Sequence, residues 1–325
     1  MDSNLITGIY AALTAFGLCA ILCPILIPYL KRLKFGQTIR HDGPESHLKK
    51  TGTPTMGGIA IVLSLIVAAL LYTSGNIQAL IVLFAMMSNG LIGFTDDYIK
   101  VVKKRSLGLR SYQKIILQLI VTAILSWLLY SEDISTAIFI PFTNGYYLEL
   151  GWLFYPLVFF IMIGGSNGSN LTDGLDGLHA GVTILISLFL LFIAYAAKSP
   201  ILPVLGAAVG ALLGFLLFNA HPARLFMGDT GSLALGGLVC SAALVLQIPI
   251  LLGIVAFVYV AESLSVIMQV TYFKLTKGKR IFKMAPIHHH FEKCGWPETK
   301  VVAVFYVVTA ILCLVGFLAT NGLFK

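Results

Sequence analysis

Five short stretches hold most of the side chains able to do chemistry in this 325-residue chain. In GFTDDYIKVVKK, Asp96 and Asp97 are adjacent, and their repulsion can raise one pKa into general-base range unless a cation keeps both ionised. A solvated helix end beside basic residues is the plainer reading. In NGSNLTDGLDGL, Asn167, Asn170, Asp173 and Asp176 recur every three residues, which on a helix fans them over one side where they can converge on one ligand. The glycines between them admit close approach of a phosphate or nucleotide, and carboxylates with amides suit Mg²⁺ and ribose or base edges. A Gly/Asn-rich cap for the next helix is the alternative. Asp229, in MGDTGS, is either an N-cap or a carboxylate ligand for Mg²⁺, which takes one or two carboxylates and fills its octahedron with waters and phosphates. Asn219 and Phe226, just upstream, offer a hydrogen bond and a stacking face. His288, His289 and His290 follow a basic run. Three consecutive histidines cannot all reach one tetrahedral zinc, so they either engage phosphate with the nearby lysines or form a surface cluster with no role. Lys50, Thr53 and Thr55 precede Gly57-Gly58, where an anion can meet a helix N-terminus, without the pattern of a Walker A loop.

The elements that must position these groups are apolar. Hydrophobic residues make up 58% of the chain and charged residues 11%, against about 25% charged in a soluble domain. An all-α polytopic membrane protein follows, because only a helix satisfies its own backbone in hydrocarbon. Ten transmembrane helices are expected, over 5–30, 55–73, 77–95, 115–130, 151–166, 178–197, 201–219, 231–248, 250–272 and 301–321. The N-terminus lacks the features of a removable signal peptide, so the first span is expected to persist. The connections after spans 1, 3, 5, 7 and 9 carry six, six, none, one and seven Lys or Arg, leaving only Lys198 and Lys325 elsewhere. Those loops are therefore expected in the cytoplasm, with both termini outside. The net charge of +8 then belongs to one membrane face, fit for anionic headgroups or an anionic substrate and assigned to no nucleic acid. All five chemical stretches fall in those same loops, so an active-site cleft built from five cytoplasmic loops is expected within a single domain, 1–325.

Three features stand apart. Asn144-Gly145, between IFIPFT and YYLEL, predicts a small external β-hairpin. Glu262 falls near the middle of span 9, where a bare charge costs about 2.5 to 3.5 kcal/mol, so that helix is bent and lines a polar groove, or a neutral Glu packs two helices. The five cysteines show no metal or redox pattern and receive no role.

Taken together, GTPTMGG (52–58), DDYIKVVKK (96–104), GLRSYQK (108–114), NGSNLTDGLDGL (167–178), FNAHPARLFMGDTGSLALGG (218–237) and APIHHHFE (285–292) resemble, in order, the signature segments of the phospho-N-acetylmuramoyl-pentapeptide transferase family. The DD and NxxDGxDGL elements are shared with a sister branch that transfers N-acetylglucosamine-1-phosphate to a polyprenyl phosphate. The resemblance implies a Mg²⁺-dependent, homodimeric, multi-pass enzyme of the bacterial cytoplasmic membrane. Its implied substrates are UDP-MurNAc-pentapeptide and undecaprenyl phosphate, and its implied products are a lipid-linked pyrophosphate and UMP for peptidoglycan synthesis. It implies a uridine pocket from Lys50, Gly174, Leu175, Asp176, Asn219 and Phe226, further polar contacts from Thr55, Asn170, His288 and His289, and a sugar contact from Gln269. On this reading Asp229 holds the metal, Asp173 supports it, Asp96 or Asp97 deprotonates or orients the lipid phosphate, and Lys100, Lys104, Lys114 and His290 attract anions. A secondary transporter is the competing class, disfavoured because transporters bind near the bilayer midplane and only Glu262 lies there.

Overall fold

The structure, a computed structural model, describes residues 3–32, 50, 52–102 and 108–323. Lys34, Arg40, Lys49, Lys103, Lys104, Arg105 and Lys325 lie outside the described residues. Twelve helices appear among those described: α1 (Ser3–Arg32), α2 (Gly58–Tyr72), α3 (Ile77–Val102), α4 (Ser111–Ser131), α5 (Phe154–Thr172), α6 (Leu178–Ala196), α7 (Leu202–Asn219), α8 (Gly228–Val245), α9 (Pro249–Val255), α10 (Phe257–Leu275), α11 (Ile287–Lys293) and α12 (Glu298–Ala319). Of these, α1, α3, α4, α6, α7, α8 and α12 are long and apolar enough to cross a bilayer. The pair α9 and α10, bent by 78° at Ala256, makes an eighth if it is one span. The bend expected at Glu262 lies instead at Ala256, six residues earlier, and Glu262 stands within the continuous helix α10. The ten spans read from the sequence exceed these seven or eight: α2 has only 15 residues, and α5 ends in the polar GGSNGSNLT.

Helices α6, α7 and α8 form the centre, with most of α6 and α7 and almost every residue of α8 buried. By contrast α1, α4 and α12 expose Leu13, Ile21, Trp127, Tyr130, Leu314 and Leu318, an apolar surface suited to lipid. Small residues let the inner helices approach closely, as is usual where lipid removes the hydrophobic drive between helices. A Cβ on Gly93 of α3 would stand 2.0 Å from the Asp229 carbonyl oxygen of α8. Only glycine there lets the end of α3 lie against the start of α8.

The hairpin is present, with β1 (Ala137–Phe139) antiparallel to β2 (Tyr147–Glu149) in the register Ala137 with Glu149 and Phe139 with Tyr147. Its strands are three residues each, so Asn144-Gly145 sits within a longer connection instead of forming a two-residue turn. The hairpin packs on the ends of α8 and α12: the Phe139 N–H donates to Gln247 O (2.7 Å) and the Phe142 N–H to Ala319 O (3.1 Å). These are the ends remote from Asp229 and Glu298, which begin the same two helices.

Candidate active site

Two chain segments about 170 residues apart are zipped together to start the site. The Phe226 N–H donates to Pro54 O (2.8 Å), the Gly57 N–H to Phe226 O (2.8 Å) and the Gly58 N–H to Met227 O (2.9 Å). This pairing seats GTPTMGG against RLFMGD and brings the Thr55 hydroxyl beside Gly228. Gly228 has φ +77°, and a Cβ there would meet Asp97 Oδ2 at 2.7 Å, so this position requires glycine on both counts.

Helix α3 runs past its expected end and carries Asp96 and Asp97 on its last turns. Asp97 caps α8 from outside: Oδ1 accepts the Asp229 N–H (3.2 Å), and Oδ2 accepts the Thr230 N–H (2.9 Å) and hydroxyl (2.7 Å). An anion there satisfies helix-end donors and the α8 dipole together. Asp96, fully buried, accepts the Leu109 N–H at 2.8 Å. Asp229 Oδ1 accepts from Asn170 Nδ2 (3.1 Å), and that amide also donates to Ser232 (2.8 Å). Lys100 and Lys114 each bridge Asp96 and Asp229, at 2.5 and 3.2 Å for Lys100 and 3.3 and 2.6 Å for Lys114.

Carboxylate oxygens of Asp96, Asp97 and Asp229 all lie within 4.8 Å of one another. Asp173 adjoins them: burial, with the charges of Asp229 and Asp97, pushes its carboxyl up to about 7, partly offset by the Gly228 N–H. Four aspartates thus face two lysines, and the excess of hard oxygen anions fits a divalent cation such as Mg²⁺. Asp229, expected to hold a metal with Asp173, is grouped here with Asp96 and Asp97 as well.

A second group forms where the chain turns between α5 and α6. Asp176 Oδ1 pairs with Lys50 (2.7 Å), while Oδ2 accepts the Ala223 N–H (3.0 Å) and stands 3.1 Å from His221 Nδ1. Glu298, at the start of α12, pairs with Lys50 (2.6 Å) and accepts the Asp176 N–H (2.7 Å). These groups line a cleft of about 540 Å³ with Thr53 and Trp296. His221 and Glu298 were missed by sequence reasoning. His221 lies inside a quoted motif, but Glu298, after Pro297, reads as an ordinary first-turn acid of a helix.

The regular fan expected for Asn167, Asn170, Asp173 and Asp176 does not form. Helix α5 stops at Thr172, so the spacing of three ceases to keep the groups on one side. Asn167 donates to Gln118 (2.9 Å) and Ile163 O, Asn170 and Asp173 join the first acid group, and Asp176 joins the second. Gly174 and Leu175 form the turn between them, with Leu175 buried. Asn219 frames this turn: its carbonyl accepts the Gly177 N–H (3.1 Å) and its amide donates to Leu225 O (3.0 Å). The Phe226 side chain is half-buried.

The three histidines go three ways. His288 is buried against Glu262 (3.0 Å), His289 pairs with Glu292 (2.8 Å), and His290 Nδ1 accepts the Lys283 N–H (3.1 Å). Gln269 pins the preceding loop, accepting the Ile281 and Phe282 N–H groups (3.1 and 2.9 Å) and donating to Phe282 O.

Residues 79–247 match the family model described as glycosyl transferase family 4, and residues 50–62 match phospho-N-acetylmuramoyl-pentapeptide-transferase signature 1. The phospho-N-acetylmuramoyl-pentapeptide-transferase of Clostridium kluyveri is 51% identical over 316 residues, covering 96% of this chain and 98% of its own. That of Clostridium perfringens strain 13 is 50% identical over 311 residues, covering 95% and 97%, and that of Clostridioides difficile strain 630 is 48% identical over 313, also covering 95% and 97%. With identity of this level along almost the whole of both chains, and with the signature residues gathered at one end of an apolar helical bundle, this chain belongs to the phospho-N-acetylmuramoyl-pentapeptide-transferase family.

Proposed function

We propose that the chain transfers phospho-MurNAc-pentapeptide from UDP-MurNAc-pentapeptide to undecaprenyl phosphate, releasing UMP. The observation that carries this reading is the joining of Asp96, Asp97 and Asp229 with Lys100 and Lys114 at one end of an apolar bundle. One substrate is a lipid and the other a soluble anion, so they meet where membrane and water meet. On this reading the ninth crossing is the bent pair α9 and α10, ten spans place both termini outside, and the site faces the cytoplasm of a bacterial inner membrane. The enzyme acts as a homodimer.

The acceptor phosphate oxygen attacks the MurNAc-linked phosphorus of the donor, and the bond from that phosphorus to the UMP oxygen breaks. A phosphate monoester loses its second proton near pH 6, so the nucleophile is largely ionised at pH 7 and needs orientation more than deprotonation. Asp97 has both oxygens engaged by the first turn of α8 and braces the site. Asp96 shares Lys100 and Lys114 with Asp229, and on arrival of the phosphates these ammoniums turn from carboxylate to substrate. Asp96, Asp97 and Asp229 would hold Mg²⁺, with Asp173 in support; when bound, Mg²⁺ supplies neutralisation of pyrophosphate charge. Lys50, Gly174, Leu175, Asp176 and Phe226 take the uridine end in the second cleft, framed by Asn219. Thr55, Asn170, His288, His289 and Gln269 hold the surrounding loops in register, and His290 adds basic character beside Lys283.

UMP release by the purified protein with undecaprenyl phosphate and Mg²⁺ tests this, comparing UDP-MurNAc-pentapeptide with UDP-GlcNAc. Activity confined to the muramoyl donor is expected. UMP from UDP-GlcNAc alone assigns the chain to the sister reaction, and solute movement across vesicles without UMP release makes it a transporter.

A further inference from the structure

Glu262 is a charged residue with 0% exposure on α10, and His288 stands at ion-pair distance from it. His288 Nδ1 stands 3.0 Å from Glu262 Oε1, the His288 side chain is 1% exposed, and neither carboxylate oxygen nor either ring nitrogen makes a hydrogen bond to any described residue. A carboxylate left bare in an apolar helix is costly, and the His288 ring nitrogen 3.0 Å away is the polar group placed to answer it. The opposite edge of the ring presses on the turn between α5 and α6: a Cβ on Gly174 would lie 2.1 Å from His288 Nε2. That turn carries Asp173 into one acid group and Asp176 into the other. The same stretch of α10 also meets α5, where a Cβ on Gly168 would stand 2.8 Å from Tyr259 O and 2.9 Å from Ser263 Oγ.

We infer that Glu262 is a positioning residue: it pairs with the Nδ1 edge of His288 and so holds the imidazole as a wedge that sets the turn bearing Asp173 and Asp176. The carboxylate touches no substrate. It acts through the ring, from the bent helix to the turn, as an outer partner orients a liganding histidine elsewhere. Its effect belongs to nucleotide binding more than to the chemical step.

The kinetic half of the test rests on the transfer proposed above; the spectroscopic half does not. In full-length protein labelled with ¹⁵N-histidine, comparison with His288→Asn assigns the ring. A protonated Nδ1 in the wild type, lost in Glu262→Ala, is expected, and an unprotonated Nδ1 in the wild type overturns the inference. In UMP-release kinetics, Glu262→Ala is expected to raise donor KM about 10-fold with kcat within about 3-fold. Glu262→Gln keeps an acceptor oxygen and is expected to restore KM to within about 3-fold of wild type. Glu262→Ala combined with His288→Asn is expected to be no worse than His288→Asn alone. An unchanged KM in Glu262→Ala, additive effects in the double variant, or a Gln variant as poor as the Ala variant each overturn the inference. If Glu262→Ala fails to fold, the Gln variant and the wild-type ring spectrum decide. A wild type that releases no UMP refutes the transfer reading, while the ring spectrum still judges Glu262 alone.

Discussion

The two acid groups at the site end of the bundle look alike by composition and differ in what answers their charge. Asp176 and Glu298 are met by Lys50, by two backbone N–H groups and by the His221 ring, so their oxygens are largely occupied by fixed protein donors. Asp96 and Asp229 are met chiefly by the ends of Lys100 and Lys114, long side chains that can swing away, and Asp173 adds a further carboxyl held partly neutral. The first arrangement is a finished latch. The second is short of positive charge and exchangeable, as the proposed binding of a cation and anionic phosphates requires. Counting acids does not distinguish them; tracing each oxygen to its donor does.

The largest expected effect breaks the comparison at its exchangeable side. Asp229→Asn is expected to lower UMP release by about 10² to 10³-fold, because it removes a carboxylate shared by both lysines that, on the proposed function, stands where the phosphates react. If the latch group falls as far when the corresponding charge is removed, the distinction between chemistry and recognition collapses. Glu298→Gln should instead raise donor KM by about 10-fold and leave the Mg²⁺ dependence unchanged, read in the same assay as a split between KM and kcat.

A pH series sharpens the contrast with a similar or smaller effect. Asp173 has its carboxyl raised to about 7, so below that pH it holds a proton which a metal must displace, and above it the carboxylate is free. The apparent Mg²⁺ affinity is therefore expected to rise with pH through about 7, by at most about tenfold per unit for one proton. Asp173→Asn should flatten the slope, as measured by Mg²⁺ titrations at pH 6 to 8. The smallest effect is on the frame. Tyr306→Phe deletes the hydroxyl that donates to Gly177 O at 2.7 Å beside the latch and should cost about 1 kcal/mol of stability, seen as a lower thermal midpoint with no change in Mg²⁺ response.

Much of this was readable beforehand because the physics is local. Apolar runs of helix length, the Asn-Gly signal in a hairpin and the misfit of Glu262 in a hydrophobic helix each depend on a single stretch of chain. So does the expectation that three adjacent histidines cannot share one ion; in the structure each has a different neighbour. The spacing of three through Asn167 and Asp176 was legible but misled, since its meaning depended on where α5 would stop, and helix ends are set by tertiary caps as much as by propensity.

Residue types and their order alone determined that this chain fills a membrane with helices and places acids, amides, histidines and lysines at one end of them. Which carboxylates share a centre was decided only by tertiary contact: the pairing of residues 54–58 with 226–227, and the glycine at position 93 that lets the end of α3 reach the start of α8. That Glu298 completes the latch, and that His288 turns inward to Glu262, were likewise decided there. The reason is distance along the chain. Charge and hydrophobicity act wherever a residue stands, whereas a hydrogen bond or an ion pair requires a partner within about 3 to 4 Å, and only the packed fold supplies partners from segments a hundred residues away.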